Sequence, residues 1–437
     1  MKNTPIPADI VDQIVTERGI KEVSKASIRE IKRLINDIEK ASGQEFVRME
    51  MGIPGLPPCH VGVEAQIEAL KKGVAAIYPD IEGIPEIKKE AARFVKNFID
   101  LEVNPENCIP TVGSMMGGMA GFMTFVRCRK ERDTTLFIDP GFPVQKQQHR
   151  VMGLKYETFD VYNFRGPKLR AKLESYLEKG NIHTIMYSNP NNPSWICFTE
   201  EELQIIGDVA NKYDVFVFED LAYFGMDFRQ NISAPGIPPY QPSVGKYTDN
   251  YALLISGSKA FSYAGERIAL MIMSNKLFKR EFDDLVPYFN MKQLGRAIIY
   301  GTVYAISSGV AHSAQYAMAA ILKACNDGTY NYIEDVKEYG EKAKIMKKMF
   351  TDNGFEIVYD KDGEKSLADG FYFTVAYPGM SGNELLKELL YYGISAISLS
   401  TCGSERAEGL RACVSLTPRR QFPILEERLK LFKENHG

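Results

Sequence analysis

The 437-residue sequence contains one tryptophan, five histidines and seven cysteines, and it lacks several patterns that mark large classes of protein. The cysteines are scattered without a Cys-x-x-Cys pair, and the histidines lack the spacing of metal ligands. We therefore expect neither a disulfide framework nor a bound metal ion. Reduced thiols favour a cytoplasmic location.

The sequence also lacks a large net charge and long apolar segments. The 53 basic and 56 acidic side chains give a net charge of −3, and no basic arm or stripe is present. A nucleic-acid partner is therefore not expected. No run reaches the roughly 18 apolar residues that a membrane span needs, and the first residues lack an apolar signal core, so no membrane association is expected either.

The hydrophobic pattern changes along the chain in a way that predicts two domains. Over 56–328, short apolar runs alternate with amphipathic helices, which is typical of a parallel sheet covered by helices on both faces. Within this part, 297–324 is predicted as one long helix, and 9–42 near the start is predicted as another. We expect a large α/β domain over 56–328 and a smaller α+β domain formed by 329–437 together with 1–55.

Residues that carry chemistry follow the predicted strands. In an open α/β sheet, ligands bind outside the carboxyl ends of the strands. The segments at these positions are GSMMGG (113–118), DPGFP (139–143), SNPNNPSW (188–195), EDLAYF (219–224) and SGSK (256–259). Taken singly, a glycine loop or an aspartate is usually a helix cap, and an Asn-Pro pair is usually a turn. Their convergence at one edge of one sheet favours a ligand site.

This set of residue types suits an aldehyde cofactor that carries a phosphate and a pyridine ring. A lysine such as Lys259 can hold an aldehyde as a Schiff base. A carboxylate can keep a pyridine nitrogen protonated, so that the ring accepts electrons. A helix N-terminus with hydroxyls and an arginine can bind a phosphate dianion, and an aromatic face can stack on the ring.

These segments resemble the motifs of the fold-type I pyridoxal-phosphate enzymes of the class I/II aminotransferase family. SGSKAFSYAGER is similar to the family's lysine signature, NPNNPSW to its Asn-Pro-x-Asn-Pro-Thr-Gly motif, EDLAY to its Asp-x-Ala-Tyr motif, YPDIEGIPEIKK to its Tyr-x-Pro-x-x-Gly segment, and EGLRACVSL to its C-terminal arginine strand. The match extends from about Gly52 to Leu416. It implies an aspartate-aminotransferase-like α/β fold, with a mostly parallel central sheet between helices and a smaller α+β domain.

The resemblance implies catalytic roles for particular residues of this sequence. Lys259 would hold pyridoxal 5′-phosphate as a Schiff base and then move a proton between the substrate's Cα and the cofactor. Asp220 would pair with the pyridine nitrogen. Tyr223 and Asn192 would hydrogen-bond the cofactor's 3′ oxygen, and Tyr223 would thereby lower the proton affinity of the Schiff base.

The resemblance also assigns the remaining binding positions. The family's phosphate-binding positions fall on Gly113, Ser114, Met115, Ser256 and Arg267, and its ring-stacking position falls on Phe142. Arg411 would clamp the α-carboxylate of the substrate, with Gly52 and Asn192 beside it. Tyr78 falls where the family contacts the phosphate of the neighbouring subunit, which implies a homodimer with shared active sites.

Two positions leave alternatives open. Trp195 stands where the family motif has glycine, and either a core or interface role or a place at the mouth of the site is compatible with the sequence. Arg296 is a candidate for recognising a second carboxylate from the partner subunit, and a solvated arginine at a helix start is the alternative.

Amino-group transfer between an α-amino acid and a 2-oxo acid is the leading functional interpretation. A pyridoxal-phosphate-dependent lyase or decarboxylase is an alternative, because the same carbanion can eliminate a group or lose CO2. A non-catalytic pyridoxal-phosphate-binding regulator is a further alternative, but 1–50 show no basic helix-turn-helix. The sequence does not identify the donor amino acid.

Overall fold

The structure, a computed structural model, describes residues 3–437. The strands, in chain order, are β1 (Val47–Arg48), β2 (Cys108–Val112), β3 (Thr134–Asp139), β4 (Lys155–Asp160), β5 (Ile182–Ser188), β6 (Phe216–Leu221), β7 (Tyr251–Ser256), β8 (Ile268–Met273), β9 (Glu356–Ile357), β10 (Lys361–Asp362), β11 (Lys365–Ser366), β12 (Tyr372–Ala376), β13 (Ile394–Ser395), β14 (Ile397–Ser398) and β15 (Leu410–Cys413). The α-helices are α1 (Ala8–Glu17), α2 (Ile28–Ser42), α3 (His60–Lys71), α4 (Pro85–Ile99), α5 (Gly113–Phe125), α6 (Pro143–Met152), α7 (Lys168–Leu177), α8 (Glu200–Tyr213), α9 (Gly257–Ala260), α10 (Asn275–Lys279), α11 (Val286–Phe289), α12 (Leu294–Arg296), α13 (Tyr304–Ser307), α14 (His312–Asn326), α15 (Tyr332–Asp352), α16 (Gly382–Tyr391) and α17 (Phe422–His436).

The central sheet has seven strands in the order β2-β8-β7-β6-β5-β3-β4. All neighbouring pairs are parallel except those of β8, which runs antiparallel to both β2 and β7. Strands β3, β5, β6 and β7 are buried along their whole length, as their continuous apolar runs predict for a sheet covered on both faces. The predicted α/β fold with a mostly parallel central sheet is confirmed.

The register of the parallel strands aligns their carboxyl ends at one edge. Ser188, the last residue of β5, pairs with Asp220 near the end of β6. Leu221, which ends β6, pairs with Ile255 near the end of β7. The segments that follow these strands therefore start side by side, and this edge positions the candidate site.

A second, antiparallel sheet has the order β14-β15-β12-β9. Arg411 lies on β15, where it pairs with Thr374 of β12 and Ile397 of β14. The early strand β1 pairs in parallel with β13, next to this sheet. The N-terminal segment thus packs against the C-terminal part of the chain, and the proposed boundaries of the two domains stay a prediction.

Both predicted long helices are interrupted in the structure. The helix predicted over 9–42 is wrong, because α1 ends at Glu17 and α2 starts after the capping residue Ser27. The helix predicted over 297–324 is also wrong. It begins as a π-helix, Ala297–Val303, and breaks after α13, where Ser308 and Gly309 have φ of 54° and 110°. Among residues 3–437, no helix combines the length and apolar character that a bilayer crossing requires.

Candidate active site

Lys259 lies on α9, directly after the carboxyl end of β7. Its ammonium group donates a hydrogen bond to the carbonyl oxygen of Gly52. Burial lowers the pKa of Lys259 to about 8, and the positive charges of Arg411 and Arg267 act in the same direction. A much larger fraction of this lysine is therefore the neutral, nucleophilic amine at neutral pH than for an exposed lysine.

Asp220 is a buried carboxylate that has no cationic partner within residues 3–437. Its oxygens accept hydrogen bonds of 3.1 Å from Nε2 of Gln145 and 3.1 Å from the backbone N–H of Ala222. Burial raises the pKa of Asp220 to about 6. A buried acid of this kind is suited to a cationic N–H group of a ligand, since unpaired buried charge is costly. The sequence did not identify Gln145, although its place on α6 just after Phe142 was a usable signal.

A cationic side chain lies against the start of α5. Gly113 has a φ of 66°, and a Cβ atom there would lie 2.4 Å from Nη2 of Arg267, so this guanidinium lies directly against the glycine. Arg267 is exposed and forms no ion pair in the described part of the chain. The amides of Ser114 and Met115 are in the first helical turn, where N–H groups have no partner within the helix. Cation and helix N-terminus together suit a phosphate.

The phosphate-binding role predicted for Ser256 fits its position at the end of β7. Its Oγ accepts a hydrogen bond of 3.1 Å from the backbone N–H of Ser258, which shapes the turn into α9. The hydroxyl retains its own proton for a further acceptor.

The loop that carries Asn192 is fixed by hydrogen bonds on both sides. Nδ2 of Asn191 donates to the carbonyl oxygen of Pro140 at 2.8 Å, which joins this loop to the segment after β3. Oδ1 of Asn192 accepts from Nη1 of Arg411 at 3.3 Å. Arg411 and Asn192 are thus neighbours, as the predicted substrate site requires.

Glu219, the residue before Asp220, is also buried, but its hydrogen bonds are to the protein. Its carboxylate accepts hydrogen bonds from Oγ of Ser243 at 2.6 Å and the N–H of Val244 at 3.2 Å. The phenol of Tyr187 also donates to it, at 3.2 Å. Burial raises the pKa of Glu219 to about 7. With its oxygens occupied by protein donors, Glu219 holds the loops behind the site together.

Arg411 is a buried guanidinium with unused hydrogen-bonding capacity. Its side chain donates to the carbonyl oxygen of Glu50 and lies over the ring of Tyr372, with Cζ 4.7 Å from the ring centroid. Its Nε has no hydrogen-bond partner among the described residues. Because no carboxylate pairs with Arg411 in residues 3–437, the group is suited to an anionic ligand.

Tyr223 lies in an aromatic cluster that the sequence did not predict. Its hydroxyl is 2.7 Å from the hydroxyl of Tyr372, and its ring packs edge-on against Trp195 at 5.3 Å between centroids. Trp195 is fully buried, which places it in the core beside the site and not at its mouth. Its φ of 65° is a conformation that favours glycine, in agreement with the glycine of the family motif at this position.

The remaining predicted residues, Phe142, Tyr78 and Arg296, differ in their exposure. Phe142 lies half-buried just before α6, where its ring-stacking role stays a prediction. Tyr78 is 91% exposed, far more than a residue of an enclosed site. Arg296 is exposed, with its guanidinium 5.6 Å from the centroid of the Tyr300 ring, and forms no ion pair in the chain from residue 3 onwards.

Comparison with curated proteins finds aminotransferases. A relative described as LL-diaminopimelate aminotransferase from Halothermothrix orenii is 26% identical over 78% of this chain and 80% of its own length. A probable aspartate aminotransferase from Methanocaldococcus jannaschii is 24% identical over 75% of this chain and 87% of its own length. Among solved structures, an alanine aminotransferase from Pyrococcus furiosus shares the fold, with a TM-score of 0.74, 20% identity, and coverage of 96% of this chain and 99% of that one.

The sequence model of the family "Aminotransferase class I and II" matches residues 45–428, which include every site residue named above. Members of this family use pyridoxal 5′-phosphate. The geometry fits that cofactor, because Asp220 lacks a cation, Arg267 lacks an anion and Lys259 has a lowered pKa. The chain therefore belongs to the class I and II aminotransferases, the pyridoxal-phosphate-dependent enzymes that transfer amino groups.

Proposed function

We propose that this aminotransferase moves an amino group between an α-amino acid and a 2-oxo acid at the site around Lys259. The observation that carries the assignment of residues is the convergence of three incompletely paired groups at one place. These are the buried carboxylate of Asp220, the buried guanidinium of Arg411 and the amine of Lys259 with its lowered pKa. The carboxylate can balance a positive charge on the cofactor, the guanidinium can bind the substrate's carboxylate, and the amine can react with an aldehyde.

Each residue of the site has a defined task in this proposal. Arg267 and the start of α5 would bind the phosphate, and Asp220 would keep a positive charge on the pyridine nitrogen. Arg411 binds the substrate carboxylate as a two-pronged donor and so orients the Cα–H bond. The amine of Lys259 would move the proton at the substrate's Cα. The bound cofactor supplies the electron sink that stabilises negative charge at Cα.

The relatives favour transamination over elimination or decarboxylation, since those compared are described as aminotransferases. Their descriptions differ in substrate, with LL-diaminopimelate, aspartate and a glutamate–pyruvate pair among them. Single-turnover reactions of the purified protein with a panel of amino acids, followed by cofactor absorbance, would identify the donor.

The attachment of the cofactor to Lys259 tests the proposal directly. Borohydride reduction of the loaded protein, followed by peptide mapping, should place the pyridoxyl group on Lys259. Lys342 provides a matched control, because it too is buried and its pKa is also lowered to about 8 by burial, yet its ammonium donates to the carbonyl oxygen of Ser415, at 3.1 Å. Lys342→Met should keep the label on Lys259, whereas Lys259→Ala should lose it. A label on any other lysine would overturn the assignment.

We also propose that the enzyme is a homodimer with shared active sites. The exposure of Tyr78 supports this, together with other exposed apolar side chains of the chain, such as Ile77 at 60% and Tyr304 at 54%. Such a surface is typical of an interface between subunits. In this proposal, Tyr78 reaches the phosphate bound by the neighbouring subunit.

Mixed dimers test the shared site. Lys259→Ala and Tyr78→Phe subunits, each inactive alone, should regain part of the activity when subunits exchange, since one of the two sites then contains both native residues. The Tyr78→Phe protein must first be shown to be severely impaired. Confirmed subunit exchange without any return of activity would refute the role of Tyr78 across the interface.

A cytoplasmic location is proposed on the state of the thiols. All seven cysteines are buried and none forms a disulfide. This is the pattern expected of a protein that folds and works in a reducing compartment.

A further inference from the structure

Tyr372 occupies a central position in the site that the family motifs did not reveal. It starts β12, and its hydroxyl lies against Gly52, since a Cβ atom on that glycine would be 2.1 Å from it. The same hydroxyl is 2.7 Å from that of Tyr223, and the Tyr372 ring lies beneath the guanidinium of Arg411. Tyr372 therefore contacts both the cofactor side and the substrate side of the site.

Trp195 fixes the position of Tyr372. A Cβ atom on Gly370 would lie 2.0 Å from Cε2 of Trp195, so the indole fills the space that a side chain at 370 would need. The indole also packs edge-on against Tyr372, at 6.1 Å between centroids. The backbone just before Tyr372 is thus in direct contact with Trp195. The left-handed φ of Trp195 costs about 1 kcal/mol, which complete burial of the indole more than offsets.

The protonation state of the two phenols determines how many O–H donors they provide. Burial raises the pKa of both Tyr223 and Tyr372, so both keep their protons at neutral pH. One O–H bond lies between the two oxygens, and the other is free to point elsewhere. Apart from this contact, neither hydroxyl has a hydrogen-bond partner in the part of the chain that the structure describes.

We propose that Tyr372 is a positioning residue, which donates its proton to the oxygen of Tyr223 and thereby directs the proton of Tyr223 to the cofactor's 3′ oxygen. This inference rests on the proposed function, in which Tyr223 faces that oxygen. Hydrogen bonds in a chain polarise one another, so the donation by Tyr372 makes Tyr223 the stronger donor. A stronger donor at the 3′ oxygen lowers the proton affinity of the Schiff base on Lys259.

The test is a pH titration of the loaded protein, followed by cofactor absorbance. Tyr372→Phe removes the hydroxyl and keeps the ring over which Arg411 lies. We expect the titration midpoint of the Schiff base to rise by about 0.3–1 pH unit, the size of one neutral hydrogen bond or less. Tyr223→Phe should raise it further. In the Tyr223→Phe background, the additional change Tyr372→Phe should have no effect, because its influence passes through Tyr223.

Three results of the titration would overturn the proposal. An unchanged midpoint in Tyr372→Phe would show that the hydroxyl does not act on the cofactor. A shift that persists without the Tyr223 hydroxyl would show that Tyr372 acts by another route. An equal shift in Tyr176→Phe would show that the response is not specific to the site, because the Tyr176 hydroxyl donates to Thr158 O, at 3.1 Å, away from it.

The single tryptophan provides a readout in the protein without cofactor. Trp195 packs against the Tyr372 ring, which phenylalanine retains, so its fluorescence maximum should be the same in Tyr372→Phe as in the wild type. A red shift would mean that the hydroxyl maintains the packing of Trp195, and the positioning role would then be rejected. If the wild-type protein takes up no cofactor on Lys259, the proposed function fails instead, and this outcome is visible before any variant is made.

Discussion

Asp220→Asn is expected to lower turnover by about 10²–10⁴-fold, the usual loss when a catalytic proton-transfer or charge partner is removed. Cofactor binding should persist, because Arg267 and the start of α5 still bind the phosphate. An amide cannot stabilise a protonated pyridine nitrogen as a carboxylate does, so the ring becomes a poor electron sink. Steady-state kinetics on cofactor-saturated protein measure the loss. Turnover near the wild-type level would show that Asp220 does not face the pyridine.

The same substitution should stabilise the protein without cofactor. Burial raises the pKa of Asp220 from 3.8 to about 6 in the folded state, so ionisation opposes folding. Below pH 3.8, Asp220 is protonated in both the folded and the unfolded wild type, and the free energy of unfolding is not reduced. It falls as the pH rises from 3.8 to about 6, and the loss is roughly 3 kcal/mol at neutral pH. Asp220→Asn escapes this loss. Melting curves should show the variant more stable at pH 8, with a smaller difference at pH 5. Saturation with cofactor should reduce the difference, since the wild type then gains a cationic partner.

Arg411→Lys is expected to lower kcat/KM for α-amino acids by about 10- to 100-fold, which corresponds to one charge-assisted hydrogen-bonded pair. Lysine carries the same charge but cannot present the planar pair of N–H donors that matches a carboxylate. Simple amines, which lack the carboxylate and react slowly with both proteins, should be little affected. The comparison of amino-acid and amine reactions in the two proteins is the measurement.

Arg428 supplies a matched control for this substitution. It is also a buried arginine, and its guanidinium donates to the carbonyl oxygens of Gly393 and Glu45, both at 2.8 Å, away from the site. Arg428→Lys should reduce stability without changing the preference for carboxylates. If Arg411→Lys lowers kcat/KM equally for amino acids and for amines, Arg411 is a structural residue and does not bind the substrate.

The sequence predicts those parts of the site whose residues directly follow a recognisable strand. Lys259, Asp220 and Ser256 are of this kind, because each lies at the end of an apolar run, and parallel strands align their ends. Tyr372 was missed because its place depends on pairing between distant strands. It lies opposite Cys413 on β15, and no local pattern reports that register.

The helix breaks were missed for a related reason. The apolar spacing of 297–324 continues through the break, and only the left-handed backbone at Ser308 and Gly309 reveals it. A Ser-Gly pair is a weak signal inside a run of small residues, which all tolerate a helix. The position of Trp195 was also not predictable, because it depends on a missing side chain at Gly370, far along the chain.

The alternation of side chains along β6 has a consequence for how this enzyme can evolve. Glu219 and Asp220 are adjacent acids, but neighbouring residues of a strand point to opposite faces of the sheet. Glu219 therefore faces Ser243 and Tyr187, and Asp220 faces Gln145. Glu219 is therefore not a spare acid for the cofactor, although it stands beside Asp220 in the sequence. In a selection that starts from Asp220→Asn, recovered activity should come from restoring an acid at position 220 and not from changes around Glu219.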